Sequence, residues 1–293
     1  MDSFIMKRSC LLFLVFLIFS QVATAQRVAL QATKVKKGQL QETLSYKHQR
    51  TPIISAHRGG RFIKGYPENA IETFEYTITR VPAMIECDIE ITQDSVLILM
   101  HDNTLERTTT GKGKVKEQSW SYIKTLHLKD DFGDSTNFKV PTLTEVLVWG
   151  KKTAILELDV KRGVPFEKVV DAVEAAKMED YVIIITYNSK DAQKVYELNP
   201  RLMISVTIRN EEEFQRIKDT KIPFSNLIVF TGTTLPDATL YEKIHAQGSL
   251  AILGTMGNID NSAKVRGSKV YQNCIATGVN VLATDYPWKL HKH

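Results

Sequence analysis

The sequence predicts an α/β protein whose parallel sheet is covered by helices, on the scale of a single (β/α)8 barrel. Three observations predict it. From Pro52 onward, strand-like and helix-like segments alternate almost to the end of the chain. The strand-like segments are apolar throughout, the pattern of strands buried on both faces. The chain has 293 residues, 43% hydrophobic and 24% charged, which suits one barrel of about 250 residues once the N-terminus is set aside. Length alone also allows two smaller domains. The composition excludes disorder, collagen-like repeats and a polytopic membrane protein. A formal charge of +5 is too weak over this length to imply a nucleic-acid partner, and like charges never gather into a run.

The first 25 residues read as a secretory signal peptide. Lys7-Arg8 precedes an apolar run from Cys10 to Phe19, followed by Ala23-Thr24-Ala25 before Gln26, a basic start, a short apolar core and a small-residue cleavage site. The core is about half the ~20 residues of a membrane span, so no stable membrane anchor is expected. The expected location is the periplasm or the medium, with cleavage after Ala25. Cys10 precedes the apolar core and so is not a lipoprotein acylation site. Cleavage leaves Cys87 and Cys274, read as buried thiols since two cysteines make no disulfide framework. Residues 26–50 are polar and basic without a clear period, a leader that wraps the domain or stays loose.

The strand candidates are Ile53 to Ala56, Met84 to Ile91, Val96 to Met100, Thr153 to Val160, Tyr181 to Ile185, Leu202 to Val206, Leu227 to Phe230, Leu250 to Leu253 and Val279 to Leu282. That is one more than a closed eight-stranded barrel uses, with 202–206 or 227–230 the weakest. Helices are expected over Asn69 to Arg80 and Pro165 to Lys177, where proline sits in the first turn, and around 189–197, 211–218, 236–247 and 263–277. Segment 102–140 is polar, Thr- and Gly-rich, and long for a plain connection, so it reads as a small insertion within the domain 51–293. Between Asp88 and His101 there are too few residues for a strand–helix–strand crossover. Either an irregular return or an unusual strand pairing is required there.

Parallel α/β folds place their chemistry just past the carboxyl ends of strands. The first strand delivers His57-Arg58-Gly59-Gly60, and Pro67-Glu68-Asn69 follows in its loop. The second carries Glu86 and Asp88 two residues apart, hence on one face. The third ends in His101-Asp102, the fourth carries Glu157, Asp159 and Lys161, and the last ends in Thr284-Asp285-Tyr286-Pro287. Carboxylates on the inward face of a buried strand are costly unless paired or bound to a cation. Glu86, Asp88 and Asp159, with Glu157 behind them, suggest oxygen ligands for Ca²⁺ or Mg²⁺; zinc-type His/Cys spacing is absent. His57 and His101 suit a general acid and a general base, and Arg58 and Lys161 add positive charge. Together these describe an anionic substrate, most simply a phosphate ester. The plainer alternative is that Glu86 and Asp88 merely pair with Lys161 or Arg58. Asp102 is read as fixing the loop after His101. Asp285 is left open between holding a basic group at the rim and capping the final turn. His127, His245 and His48 are read as structural, and Gly111-Lys112-Gly113-Lys114 as a turn rather than a phosphate loop.

At these residues the chain resembles the glycerophosphodiester phosphodiesterases. The motifs are HRGG at 57–60, PEN at 67–69, ECD at 86–88, HDNTLERTTTGKG at 101–113, PTLTEVL at 141–147, LDVK at 158–161 and TDYP at 284–287; the stretch 188–250 adds little. The resemblance implies a TIM barrel with a small insertion after the third strand, hydrolysing glycerophosphodiesters to sn-glycerol 3-phosphate and an alcohol. It implies acid–base catalysis by His57 and His101, a divalent cation on Glu86, Asp88 and Asp159 with Glu68 near it as a further candidate ligand, and phosphate contacts from Arg58 and Lys161. Attack by the neighbouring glycerol hydroxyl through a cyclic phosphodiester is the expected course. Two departures stand out: Asp159 replaces a longer Glu, and Gly254-Thr255-Met256-Gly257 replaces a Trp-Thr pair near the alcohol. The alternatives are a same-fold enzyme for an inositol-linked or lysophospholipid diester, and a non-catalytic exported barrel that binds a phosphorylated ligand. Headgroup, native cation and oligomeric state are left open.

Overall fold

A computed structural model describes Val35, residues 38–47 and residues 52–290; the signal-peptide reading, His48, His291 and His293 lie outside them. Eight parallel strands close a barrel: β1 (Ile53–Ala56), β2 (Ala83–Ile91), β4 (Leu156–Val160), β5 (Val182–Ile185), β6 (Met203–Thr207), β7 (Leu227–Phe230), β8 (Ala251–Gly254) and β9 (Val281–Thr284). Each pairs with the next, and β1 pairs with both β9 and β2 to complete the ring.

The surplus strand is β3 (Leu97–Leu99). It runs antiparallel on β2 in the register Ile89↔Leu99, Glu90↔Ile98 and Ile91↔Leu97. Strands 202–206 and 227–230, the weakest by sequence, are both barrel staves. β2 has nine residues where its barrel neighbours have four or five, so its upper half rises past the barrel rim and offers a free edge. The chain turns at Thr92–Ser95, where Thr92 N–H donates to Val96 O at 3.0 Å, and Ser95 takes a positive φ of 67°. A hairpin needs no crossover helix, which resolves the short connection. The return also sets His101: Met100 N–H donates to Asp88 O at 3.0 Å.

Residues alternate between two environments along each strand, as the period of two requires. Ile85, Cys87, Ile89, Leu156, Leu158 and Val160 face out into the layer shared with the helices. Met84, Ile155, Ile183, Met203, Ile228, Ile252 and Val281 form an apolar floor inside the barrel. Above that floor the inward positions of β2 and β4 turn acidic, Glu86 opposite Glu157 and Asp88 opposite Asp159. A short helix, α1 (Leu40–Thr43), closes the floor from below with Leu40 and Leu44 buried.

The helices of the outer layer are α2 (Ile71–Ile78), α4 (Leu143–Gly150), α5 (Phe166–Ala176), α6 (Ser189–Leu198), α7 (Glu211–Asp219), α8 (Ala238–Ala246), α9 (Asn258–Arg266) and α10 (Lys269–Thr277), followed by a final turn, α11 (Pro287–Leu290). The single helix expected over 263–277 is two, broken at Gly267, whose φ of 77° ends α9. Thr142 and Glu145 make a capping box that starts α4. The segment between β3 and α4, with one short helix α3 (Trp120–Ile123), gathers Met100, Leu105, Val115, Ile123, Leu126, Leu128 and Val140 into a small cluster of its own. Among the described residues no helix is long and apolar enough to cross a membrane, and Cys87 and Cys274 are both free and buried.

Candidate active site

The carboxyl ends of β1, β2, β4 and β9 converge on one side of the barrel mouth. Glu86, Asp88 and Asp159 form its centre, each buried, with one oxygen from each lying within 4.8 Å of the others. The sheet dictates the cluster: Asp88 and Asp159 are register partners, and Glu86 sits one inward step below. Burial, then the charges of Asp88 and Asp159, push the Glu86 carboxyl well above its usual range. Burial also opposes ionisation of Asp88, but Lys161, Arg58, His101 and Asn69 overcome it and hold that group down at about 2. Asn69 does so from both sides: its amide donates to Asp88 Oδ2 at 2.7 Å, and its own oxygen accepts from Asp88 N–H at 3.0 Å.

Lys161, one residue beyond β4, places its ammonium 2.6 Å from Asp88 Oδ1 and 2.5 Å from Asp159 Oδ2. Arg58 comes from the tight turn His57–Gly59 that ends β1, where its own φ is 53° and that of Gly59 is 82°. Only glycine fits position 59, since a Cβ there would meet the Phe74 ring at 2.3 Å. The turn aims Arg58 N–H at Glu86 Oε2, 2.8 Å away. A non-glycine residue held left-handed costs on the order of 1 kcal/mol, a strain that gathers at functional sites. Arg58 Nε is buried, 3.3 Å from Asp88 Oδ2, yet makes no hydrogen bond.

Each histidine is braced by an aspartate through Nδ1. His57 Nδ1 lies 2.7 Å from Asp285 Oδ1, and His101 Nδ1 lies 2.7 Å from Asp102 Oδ1. This fixes both rings and leaves each Nε2 for chemistry. Burial opposes ionisation of Asp285, but the hydrogen bond and charge of His57, with Arg61 and Arg58, hold its carboxyl below the usual range. Asp285 is positioned in turn by Asp260, which accepts from its N–H at 3.1 Å, from Thr284 Oγ1 at 3.0 Å and from Tyr271 at 2.9 Å. Asp102 is kept ionised chiefly by Arg107, which donates to it at 2.6 and 2.8 Å.

Glu68 stands apart from the three central carboxylates. It accepts from Arg58 at 2.9 Å and from Arg107 at 2.9 and 2.8 Å, and it pairs with Arg61 at 3.1 Å. It therefore ties the first loop to the segment after β3. Burial raises its pKa, and the three arginines, Arg107 first, more than reverse that. A carboxyl whose folded pKa is depressed stabilises the fold above its unfolded value and loses that contribution as pH falls through the folded one. Glu68→Gln is therefore expected to lower stability at pH 7 by about 3–5 kcal/mol, since the buried Arg58 and the half-buried Arg61 lose their anion. The deficit begins to shrink below about pH 4.5, where Glu68 of the unfolded chain takes up its proton, and is gone once the pH has fallen through the lower folded value. Melting temperatures of both chains from pH 3 to 7 check it; parallel curves would contradict this role.

All the residues expected to act are thus brought to one mouth: His57, His101, Arg58, Lys161, Glu86, Asp88 and Asp159, with Glu68 one layer behind Arg58. Glu157 lies beneath them and is hydrogen-bonded by Ser55, with burial raising its carboxyl to about 7. Asp102 does more than fix its loop, because it holds His101. The sequence reading did not assign Asn69, Arg107, Tyr187 or Asp260, and it left Asp285 open. A signal for Asp285 existed: in a closed barrel β1 lies beside β9, with Ala56 opposite Thr284, so the next residues, His57 and Asp285, must meet. His127 and His245 serve the scaffold, bonded to Thr136 O and Asn280 Oδ1 respectively. Gly254 lets Met256, Thr233 and Phe230 close in where a Cβ would clash with the Met256 sulfur at 2.8 Å.

An eight-stranded parallel barrel with braced histidines around buried acids and bases defines a class, the barrel hydrolases of anionic esters. The particular family follows from the motifs: a family model for the glycerophosphoryl diester phosphodiesterase family matches residues 57–271, and the chain belongs to that family. It is 32% identical over 161 residues to a glycerophosphodiester phosphodiesterase of Caldanaerobacter subterraneus subsp. tengcongensis, the match covering 53% of this chain and 65% of that relative's length. It is 30% identical over 246 residues to one from Bacillus altitudinis, covering 80% of this chain and 94% of the relative. The crystal structure of a glycerophosphoryl diester phosphodiesterase from Parabacteroides distasonis superposes with a TM-score of 0.79 at 34% identity, covering 86% of this chain and 89% of that one.

Proposed function

We propose that this chain hydrolyses glycerophosphodiesters to sn-glycerol 3-phosphate and an alcohol, with Ca²⁺ or Mg²⁺ held by Glu86, Asp88 and Asp159. The observation that carries the reading is the pair of aspartate-braced histidines beside an acidic trio that is itself flanked by Arg58 and Lys161. The donor set fits a hard cation. Three carboxylates within 4.8 Å offer only oxygens, the ligands such ions take, and their mutual repulsion is relieved by positive charge. When bound, the cation supplies Lewis-acid stabilisation of negative charge on phosphate oxygens and of a nearby hydroxyl.

The chain's own residues do the rest. Arg58 and Lys161 orient the phosphodiester, and Arg58 Nε, ion-paired with Asp88 but making no hydrogen bond, is a donor for one of its oxygens. Nε2 of one histidine takes the proton of the attacking hydroxyl, the glycerol 2-hydroxyl in this scheme. Nε2 of the other gives a proton to the leaving alcohol. The aspartates at Nδ1 stabilise each ring as it becomes cationic, so the two histidines exchange roles when water opens the cyclic diester. The apolar floor keeps solvent out of the barrel beneath, which strengthens every charge interaction at the mouth.

Hydrolysis assays on glycerophosphocholine, glycerophosphoethanolamine and glycerophosphoglycerol, beside an inositol-linked diester and a lysophospholipid, test the substrate class. Release of sn-glycerol 3-phosphate from the first three is expected. Preference for the others would favour the same-fold alternative, and binding without turnover the non-catalytic one. Export is part of the same proposal, supported by the basic start, apolar run and Ala23-Thr24-Ala25; N-terminal sequencing of the mature protein is expected to begin at Gln26, and an intact Met1 would contradict it.

A further inference from the structure

Asp159 is the member of the acidic trio that β4 supplies, and a neighbouring side chain is bound to it. The Tyr187 hydroxyl donates to Asp159 Oδ1 at 2.6 Å, while Lys161 occupies Oδ2 at 2.5 Å. The backbone places that phenol. Asp159 is the register partner of Ile185 on β5, so Tyr187, two residues on, shares the inward face one step nearer the mouth. The chain is pinned on both sides of it. Thr186 N–H and Oγ1 both donate to Ser205 O, at 2.9 and 3.0 Å, and Asn188 caps α6 by accepting from Asp191 N–H at 2.9 Å.

We propose that Tyr187 is a positioning residue for the cation site, holding the Asp159 carboxylate at the angle from which a free lone pair faces Glu86 and Asp88. The inference rests on the cation reading above. Tyr187 is 62% exposed, so packing does not order its ring; the hydrogen bond does. The ring stands between two clefts of about 550 and 540 Å³ at the mouth, one along β6 and β7, the other along the 160–166 loop. A phenol in that position serves the fold little. A carboxylate with one donor on each oxygen has lost its rotational freedom about the terminal bond, and what remains of its lone pairs points at its two acidic neighbours. Such outer partners of a ligand are worth about 10–100-fold in metal affinity.

The test is calorimetric titration of the chelator-stripped full chain with Ca²⁺ and, separately, Mg²⁺, without substrate. Tyr187→Phe keeps the ring and removes the donor. It is expected to bind the cation roughly 10–100-fold more weakly, and its turnover is expected to rise with cation concentration well beyond the point where the native chain saturates. In an Asp159→Glu background, where the longer arm reaches inward unaided, the same change is expected to cost less than about tenfold. Native affinity in Tyr187→Phe, with or without a change in KM, would overturn the inference and leave Tyr187 as a cleft wall only. A native chain that binds the cation but releases no sn-glycerol 3-phosphate would overturn the proposed activity and leave this inference standing. No cation binding by the native chain would overturn both the cation reading and the inference.

Discussion

His57→Ala and His101→Ala are each expected to lower kcat by about 10²–10⁴-fold while leaving cation affinity within a few-fold of the native chain. Neither imidazole touches the acidic trio through a hydrogen bond; each is committed at Nδ1 to its own aspartate, Asp285 or Asp102. Removing a ring therefore removes a proton carrier and leaves the ligand oxygens in place. The double variant is expected to be little worse than either single one, because a proton taken without a proton given completes no turnover. Calorimetric cation binding measured beside steady-state kinetics on glycerophosphoethanolamine separates the two quantities. Retained turnover in both single variants would end the two-histidine scheme.

Asp88→Asn is expected to do the opposite, removing cation binding and turnover together. The Asp88 carboxylate meets the Lys161 ammonium at 2.6 Å, the Arg58 guanidinium at 3.3 Å and the Asn69 amide at 2.7 Å, all of them donors. An asparagine there offers one acceptor fewer and turns an NH₂ toward a donor whichever way it points. The change also strips a buried anion from between two cations, at a cost of about 3–5 kcal/mol in stability. Loss of cation affinity by more than about 100-fold is expected, beyond what an outer partner would account for. A chain that still unfolds cooperatively but binds no cation is the predicted result. Native cation affinity in Asp88→Asn would remove this residue from the ligand set.

The contrast between these variants reflects how the site is assembled, and the sequence showed one half of it better than the other. Glu86, Asp88 and Asp159 were legible because a period of two along an otherwise apolar strand admits few charged residues, and each such residue demands a partner. The strand-end histidines were legible for a similar reason, and the motifs tied all of them to one family. What depends on closure of the barrel was not legible. Asp285 and His57 are 228 residues apart and meet only because β9 lies beside β1. Arg107 comes from the segment after β3, where no strand fixes its direction. β3 itself reads like any barrel stave, Leu97-Ile98-Leu99, and only the short reach from Asp88 to His101 signalled its different pairing. That reach turns out to be functional: the hairpin is what carries His101 back beside Asp88.

The departures from the family pattern also acquire physical content. Asp159 is shorter than the usual Glu, and Tyr187 and Lys161 hold its two oxygens. The glycine at 254 leaves room that Phe230 and Met256 occupy, so side chains from β7 and the loop after β8 close in where the family pattern has a Trp-Thr pair. Neither change disturbs the braced histidines.

The most direct test of the central claim is one assay on the native chain. Release of sn-glycerol 3-phosphate from glycerophosphocholine and glycerophosphoethanolamine is followed before chelation, after a chelator has stripped divalent ions, and after Ca²⁺ or Mg²⁺ is restored. The predicted result is turnover that vanishes with the chelator and returns with one of the two ions. Turnover indifferent to the chelator would contradict the role given to Glu86, Asp88 and Asp159, and no turnover under any of the three conditions would contradict the activity itself.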